Sequence, residues 1–273
     1  MFEVERMEKS IEQFLEFMKE TKGISDNTVD SYRRDLYKMK KYFDSVGIKQ
    51  ITQISDINMN SYLLWLEKTG CASSTISRYI SAMKTYFHYM LQMGSVKKDP
   101  TMLLKNPVKE KRIQPVLNNA QINSLLKAPA KDSAKEIRDR AMLELMYGTG
   151  LRVSEIINLK VLDVNANLGY VIVNSEKSKD KIVPFGDSVK KAINYYLSFS
   201  RDKLLKEGRS ELLFLNCQGK AMSRQGFWKI IKSYGEQAKL SENITPRILR
   251  NSYVAHTSNE DKNNMLLQMN KEL

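Results

Sequence analysis

Apolar positions in the first part of the chain repeat with the period of helices. Ile11, Phe14, Leu15 and Met18 recur at i, i+3, i+4 and i+7, which puts them on one helix face. Gly23 closes that helix, because glycine accepts the left-handed conformation that ends helices. Ser25 or Asp26 caps a second helix whose stripe is Tyr32, Leu36, Met39 and Phe43, with Gly47 at its end. Ser55 or Asp56 opens a third, carrying Leu63, Leu64 and Leu66 and ending near Gly70. Ser73 or Ser74 opens a fourth, with Ile76, Ile80, Met83, Phe87 and Met90 at alternating four- and three-residue spacing, ended by Gly94. Four such helices joined by short turns predict a compact bundle.

Between Asp99 and Pro115 the pattern lapses. Pro100, Pro107 and Pro115 alternate with Lys105, Lys109, Lys111 and Arg112, an extended and basic composition. It reads as a linker, either solvated or laid along a phosphate backbone. This divides the chain into a helical domain over 1–105, a linker over 106–116 and a second domain over 117–273. The second domain is mixed. Ile122 to Leu126 and Ile137 to Tyr147 are helical by period, while Gly169 to Phe185 alternates like a β-hairpin with a charged tip. Asp187 or Ser188 caps a helix running through Tyr196 to Leu204, and Leu212 to Leu215 is a short apolar strand or turn. Ser223 caps the helix that Arg224 opens, and Thr245-Pro246 starts the last one, with threonine as cap and proline at the first position.

Charge narrows the class of partner. Lys and Arg number 44 against 31 Asp and Glu, a net charge of +13 in 273 residues. The excess is +5 in residues 1–116 and +8 in 117–273, so both domains are basic. Such a balance points to a polyanion, above all nucleic acid. Cys71 and Cys217 have no metal-type spacing, and the only histidines are His88 and His256, so neither a metal nor another cofactor is expected. Two unpaired cysteines fit a reducing, cytoplasmic setting. No apolar run approaches the ~18 residues of a membrane span, and MFEVERMEKS lacks the apolar core of a signal peptide.

Two arginine-bearing junctions carry the candidate chemistry. Arg152 follows Gly148-Thr149-Gly150, a turn that fixes its backbone, with Glu155 three residues on. Arg247 and Arg250 lie behind the Thr245-Pro246 helix start. Guanidinium is a planar fork of donors that matches phosphate oxygens and keeps its charge, so such a pair can clamp one phosphate. Arg152 can equally be a surface residue paired with Glu155. Lys177, Lys179 and Lys181 alternate and can share one face of the hairpin, or be a solvated tip.

GTGLRVSEIINLKVLDVN, from Gly148 to Asn165, resembles the first arginine box of the tyrosine recombinase (phage integrase) family. TPRILRNSYVAH, from Thr245 to His256, is similar to its His-x-x-Arg box. SSTISRYISAMKTYFHYM, from Ser73 to Met90, looks like the N-terminal domain of Xer-type members, and AMSRQGFWKIIKSY, from Ala221 to Tyr234, looks like the helix before the last box. The likeness spans roughly residues 5–257. It implies a mainly α protein with a small β-hairpin or sheet: a four-helix, SAM-like DNA-binding domain followed by an α+β recombinase catalytic domain. Arg152 and Arg250 would contact the scissile phosphate. Lys177 would be the general acid, upstream of Val183-Pro184, with Lys179 as the alternative. Double-stranded DNA would be the partner, bound as a homo- or hetero-oligomer up to a tetramer in the nucleoid. Arg33, Arg34, Arg78 and Lys84 lie off the apolar stripes and can meet phosphates or bases, as can Lys111, Arg112, Lys179, Lys181 and Arg224.

Besides the hairpin, shorter by a residue than the usual Gly-Lys-Gly form and with Glu176 where a small residue is common, the chain departs from the family pattern in three places. Arg247 stands where a histidine is usual, and arginine cannot exchange a proton near neutral pH as histidine can. Asn251 follows Arg250 where a second histidine is common. After His256 the sequence reads TSNEDKNNMLLQMNKEL, with neither the Leu-Gly-His-like segment nor the nucleophilic tyrosine; that tyrosine would fall just past Leu273. Tyr253 matches an aromatic packing position and His256 a helix-face position. Two functions follow from these residues. One is recombination through a 3′-phosphotyrosine; the other is DNA binding without cleavage, as regulator or partner of an active recombinase.

Overall fold

The computed structural model describes residues 7–107, 115–174, 180–206, 208–240 and 243–257. The chain forms two units that divide between Arg112 and Ile113, inside the basic proline-containing segment.

The first unit contains the four helices expected: α1 (Met7–Glu20), α2 (Asp26–Ser45), α3 (Asp56–Lys68) and α4 (Ser73–Gln92). The cap alternatives resolve to Ser25 and Ser55, whose hydroxyls accept from the backbone N–H of Thr28 and Asn58. The fourth helix differs. Its cap is Ala72, which has no side-chain oxygen, and Ser73 is already the first helical residue. The face of α3 also differs: Met59, Tyr62 and Leu66 are buried, whereas Leu64 is 57% exposed. The i, i+3, i+7 spacing from Met59 is the true stripe, and consecutive leucines cannot all face one side of a helix. Phe14, Leu36, Phe43, Tyr62, Tyr86 and Phe87 fill the core.

The second unit begins with α5 (Asn119–Lys127) and α6 (Ala134–Thr149), then the short α7 (Val153–Asn158). Three antiparallel strands follow in the order β1 (Val164–Asn165), β2 (Tyr170–Val173) and β3 (Lys181–Pro184). The β2–β3 pairing, Tyr170 opposite Pro184 through Val173 opposite Lys181, is the expected hairpin; β1 is an addition, too short to show a period. The remaining helices are α8 (Asp187–Phe199), α9 (Arg201–Leu205), α10 (Arg224–Gln237) and α11 (Pro246–His256). The single helix expected after Asp187 is thus broken at Ser200, whose hydroxyl donates to the Ala134 carbonyl at 2.6 Å. Its cap is Gly186, not Asp187 or Ser188. Leu212 and Leu215 each make a single bridge, to Lys160 and Ala221.

α6 is the axis of this unit. It buries Ile137, Ala141, Met142, Leu143, Leu145 and Met146, residues that go right round the helix. α8 and α11 pack against it, with Ile193, Tyr196, Phe214, Phe227 and Leu249 completing the core.

Candidate nucleic-acid interface

Local chemistry at the end of α6 sets the first arginine. Gly150 is the left-handed C-cap of α6, at φ 63°, and its N–H donates to the Met146 carbonyl at 2.9 Å. Leu151 is buried, and the chain then turns into α7 with Arg152 at the N-cap. Arginine has no side-chain oxygen to accept from the first turn, so this position breaks the ordinary capping preference. Glu155 compensates from below: it accepts from the Arg152 backbone N–H and, at 3.0 Å, from its guanidinium. The Arg152 side chain stays 67% exposed. Glu155 therefore aims the guanidinium rather than neutralising a buried charge, and the two readings of this pair are compatible.

The second arginine comes from α11. Thr245 caps this helix through the Ile248 N–H, and Pro246 follows at the start. Arg250 Nη1 donates to the Gly150 carbonyl at 2.7 Å, across 100 residues of sequence. This contact puts the second arginine box against the turn that carries Arg152. Arg247, one turn earlier, is exposed and has no ion pair or hydrogen bond to another described residue. The first turn of α11 holds no acidic side chain. Cations at a helix N-terminus oppose the helix dipole, so Arg247 is tolerated for a reason other than helix stability.

Two further contacts lock α11 to α6. The Tyr253 ring lies directly against Gly150, in the space a Cβ would occupy. Burial pushes its hydroxyl pKa up, as suits a packing residue. His256 Nδ1 and Tyr147 Oη are 3.0 Å apart, which makes His256 a helix-face contact. Gly150→Ala would lose the left-handed cap and collide with Tyr253. It is expected to cost about 1–3 kcal/mol, read as a lower urea midpoint, and to weaken DNA binding along with it.

The other candidates are dispersed. Lys181 is exposed at the start of β3, and Arg224 is exposed at the first turn of α10. Lys111, Arg112, Lys177 and Lys179 lie outside the described residues. In the first unit, Arg33 forks onto Glu12 of α1 at 3.0 and 3.2 Å and also reaches Asp30. The Arg33 hydrogen bond holds the Glu12 carboxyl below its ordinary pKa. Arg33 is thus committed to the α1–α2 contact, whereas Arg34, the next residue, is exposed. Arg78 of α4 is held by Asp35 of α2. Lys84 is half-buried, six residues on, which is about 120° round the helix from Arg78.

Sequence reasoning missed two features. The Gly150 carbonyl as the anchor of Arg250 leaves no sequence signal. Asp35 does: it is a carboxylate at i+3 from Tyr32 and i−4 from Met39, on the apolar stripe. A hollow of about 510 Å³ between α6 and α8, lined by Arg140, Glu144, Lys191 and Tyr195 among others, includes none of the arginine-box residues.

Residues 11–94 match the phage integrase N-terminal SAM-like domain, and residues 115–270 match the phage integrase family. The chain belongs to the phage integrase family. Tyrosine recombinase XerD of Staphylococcus epidermidis is 40% identical over 250 residues, 92% of this chain and 85% of the relative. XerD of Staphylococcus aureus is 39% identical over the same shares. Among solved structures, a lambda integrase dimer bound to a COC′ core site aligns with TM-score 0.73 at 14% identity, covering 97% of this chain and 94% of that one. The Tn1549 transposon integrase with circular intermediate DNA aligns with TM-score 0.73 at 16% identity, covering 96% and 93%. These likenesses show that the two-unit fold is that of the integrases. Membership gives the first unit its SAM-like character and the second its integrase character. No described helix of this integrase-family chain is long and apolar enough to cross a membrane.

Proposed function

We propose that this chain is a site-specific recombinase that grips duplex DNA, with Arg152 and Arg250 clamping one backbone phosphate. The hydrogen bond from Arg250 to the Gly150 carbonyl carries this reading, because it draws two cations from distant boxes to one turn. Arg247, exposed and with no ion pair or hydrogen bond to another described residue, extends the cationic surface by one helical turn. The +13 charge and the XerD relatives support the same partner.

In the family's chemistry a tyrosine oxygen attacks the phosphorus, a 3′-phosphotyrosyl bond forms, and the 5′ oxygen leaves and takes up a proton. The arginines here would stabilise the charge that collects on the phosphate oxygens. Lys177 is the proposed proton donor, with Lys179 as the alternative. Tyr253, packed on Gly150, is not the attacking group. Arg34, Arg78, Lys84, Lys111, Arg112, Lys181 and Arg224 are proposed phosphate or base contacts, and Arg33 a weaker one because Glu12 holds it. A second copy, or a different recombinase on the same duplex, is the proposed protein partner; a related lambda integrase is described as a tetramer bound to a Holliday junction. The cytoplasmic nucleoid is the proposed location.

A mobility shift on duplexes carrying a Xer-type core site, run beside a nicked suicide substrate on a denaturing gel, tests the proposal. Binding of the duplex is the expected result, and a covalent protein–DNA adduct beside it would identify strand transfer by a tyrosine of this chain. Binding without an adduct would reject strand transfer and leave a DNA-binding partner protein. No shift at low salt would reject both.

A further inference from the structure

The pairing of Asp35 with Arg78 is unusual for a helical core. Asp35 is 1% exposed, on the stripe of α2 that carries Leu36 and Met39. One carboxylate oxygen accepts from Arg78 Nη1 across the α2–α4 contact. The other, Oδ2, is buried with no hydrogen-bond partner among the described residues. Burial pushes this carboxyl pKa up, and Arg78 pulls it back. A buried, half-satisfied ion pair contributes little to stability that an apolar pair would not match. What it does achieve is geometric. An arginine side chain is otherwise free to sample many rotamers, and anchoring one nitrogen removes most of that freedom before any ligand arrives.

The anchored guanidinium remains 44% exposed, and its carbon lies 5.1 Å from the Tyr79 ring centroid. Its Nε and Nη2 edge has no acceptor among the described residues. That edge is a bidentate one, a pair of parallel donors that fits guanine O6 and N7. The surface around it suits a groove. Ser74, Arg78, Ser81 and Thr85 recur at i, i+4, i+7 and i+11, so small hydroxyl side chains flank the one long cation on this face of α4. On α2, Arg34 and Lys38 lie one turn apart on the same side of Asp35; Lys38 is held 5.6 and 5.3 Å above the Trp65 and Tyr79 rings, with its Nζ 3.6 Å from Cys71 Sγ. One exposed cation for a phosphate, Arg34, beside one fixed fork forms a pattern for reading a base from a helix in the major groove.

We propose that Asp35 is a positioning residue that presets Arg78 to read a guanine in the major groove. This rests on the DNA-binding reading above and adds to it a base, a reader and the group that holds the reader.

The test uses the full chain and a duplex selected from a random pool by binding to it. Each G·C pair of that duplex is replaced in turn by A·T, and affinities are measured by fluorescence anisotropy for wild type, Arg78→Lys, Asp35→Asn and the double variant. At one G·C position the wild type is expected to lose about ten- to hundred-fold in affinity. Arg78→Lys and Asp35→Asn should each erase that preference, and the double variant should lose no more than either single one. Asp35→Asn removes a negative charge, so its affinity for poly(dA·dT) should hold or rise. A structural role would instead lower binding to every duplex alike, and that result would overturn the proposal. So would an Asp35→Asn protein that keeps the full preference. Should Asp35→Asn fail to fold by circular dichroism, Asp35→Glu decides: the charge stays, the carboxylate reaches one methylene further, and a retained preference rejects the idea. Wild type binding no duplex removes the DNA-binding reading as well; wild type binding with an unaltered Asp35 variant removes this inference alone.

Discussion

Arg250→Ala is expected to lower affinity for a core-site duplex by about ten- to hundred-fold, since a charge-assisted hydrogen bond to phosphate is worth roughly 1.5–3 kcal/mol. The slope of log affinity against log salt should flatten by about 0.9, the signature of one lost phosphate contact. Arg250 does two things in this structure. It carries charge, and it ties α11 to the Gly150 carbonyl at 2.7 Å. Arg250→Lys separates them, because lysine keeps the charge and loses the fork. Lysine should restore most of the salt slope while leaving part of the affinity loss. Arg152→Ala should produce a similar loss, and the double variant should fall short of the sum of the two, because both arginines are proposed to hold one phosphate. Full additivity, or an unchanged slope for Arg250→Ala, would mean that the two boxes do not share a phosphate. Anisotropy titrations at four or five salt concentrations decide it.

The residues that announced themselves in sequence are those whose structural role is local. Ser25, Ser55, Ser223 and Thr245 cap their helices because a hydroxyl three residues before an N–H has the right reach anywhere in a protein. The Arg152–Glu155 pair is local in the same sense. The four-helix unit and the hairpin followed from periodicity, which depends only on which side faces a core. What stayed hidden was set by distant neighbours. Ser200 breaks a helix because the Ala134 carbonyl lies 66 residues away in sequence and 2.6 Å away in space. Arg33 and Arg34 look interchangeable in sequence, yet α1 brings Glu12 to one and not to the other. The anchor of Arg250 is a backbone carbonyl, a group every residue has, so no residue type marks it. Nor does a pattern of apolar positions reveal that α6 buries Arg138, Asp139 and Glu144 along with its apolar residues, because charged residues in it look like a solvated face.

Arg138 is the sharpest case of that last kind, and Arg138→Ala is expected to destabilise the second unit by about 3–5 kcal/mol, the cost of stranding a buried charge. Arg138 is 2% exposed and Asp139, its neighbour, is 0% exposed. The guanidinium donates twice to Asp139 Oδ1, at 2.6 and 2.9 Å, and once to the Leu215 carbonyl at 2.9 Å. Tyr234 donates to the other carboxylate oxygen at 3.0 Å. The cluster thereby joins α6, whose C-terminal turn leads to Arg152, to the 212–221 segment and to α10. Burial drives the Asp139 pKa up and the Tyr234 hydroxyl pKa up as well. With Arg138 gone, Asp139 keeps its desolvation and loses the cation that offsets it, and the Leu215 carbonyl loses its donor. Replacing all three at once, Arg138→Met with Asp139→Leu and Tyr234→Phe, removes the stranded charge and should cost far less than the single change. Urea unfolding followed by the fluorescence of Trp228 in α10, in a Trp65→Phe background that silences the first unit, reads this unit directly. A single variant that unfolds at the wild-type midpoint would show that the cluster is not closed off from water. A triple variant as unstable as the single one would show that its hydrogen bonds, rather than its charge balance, hold α6 to α10.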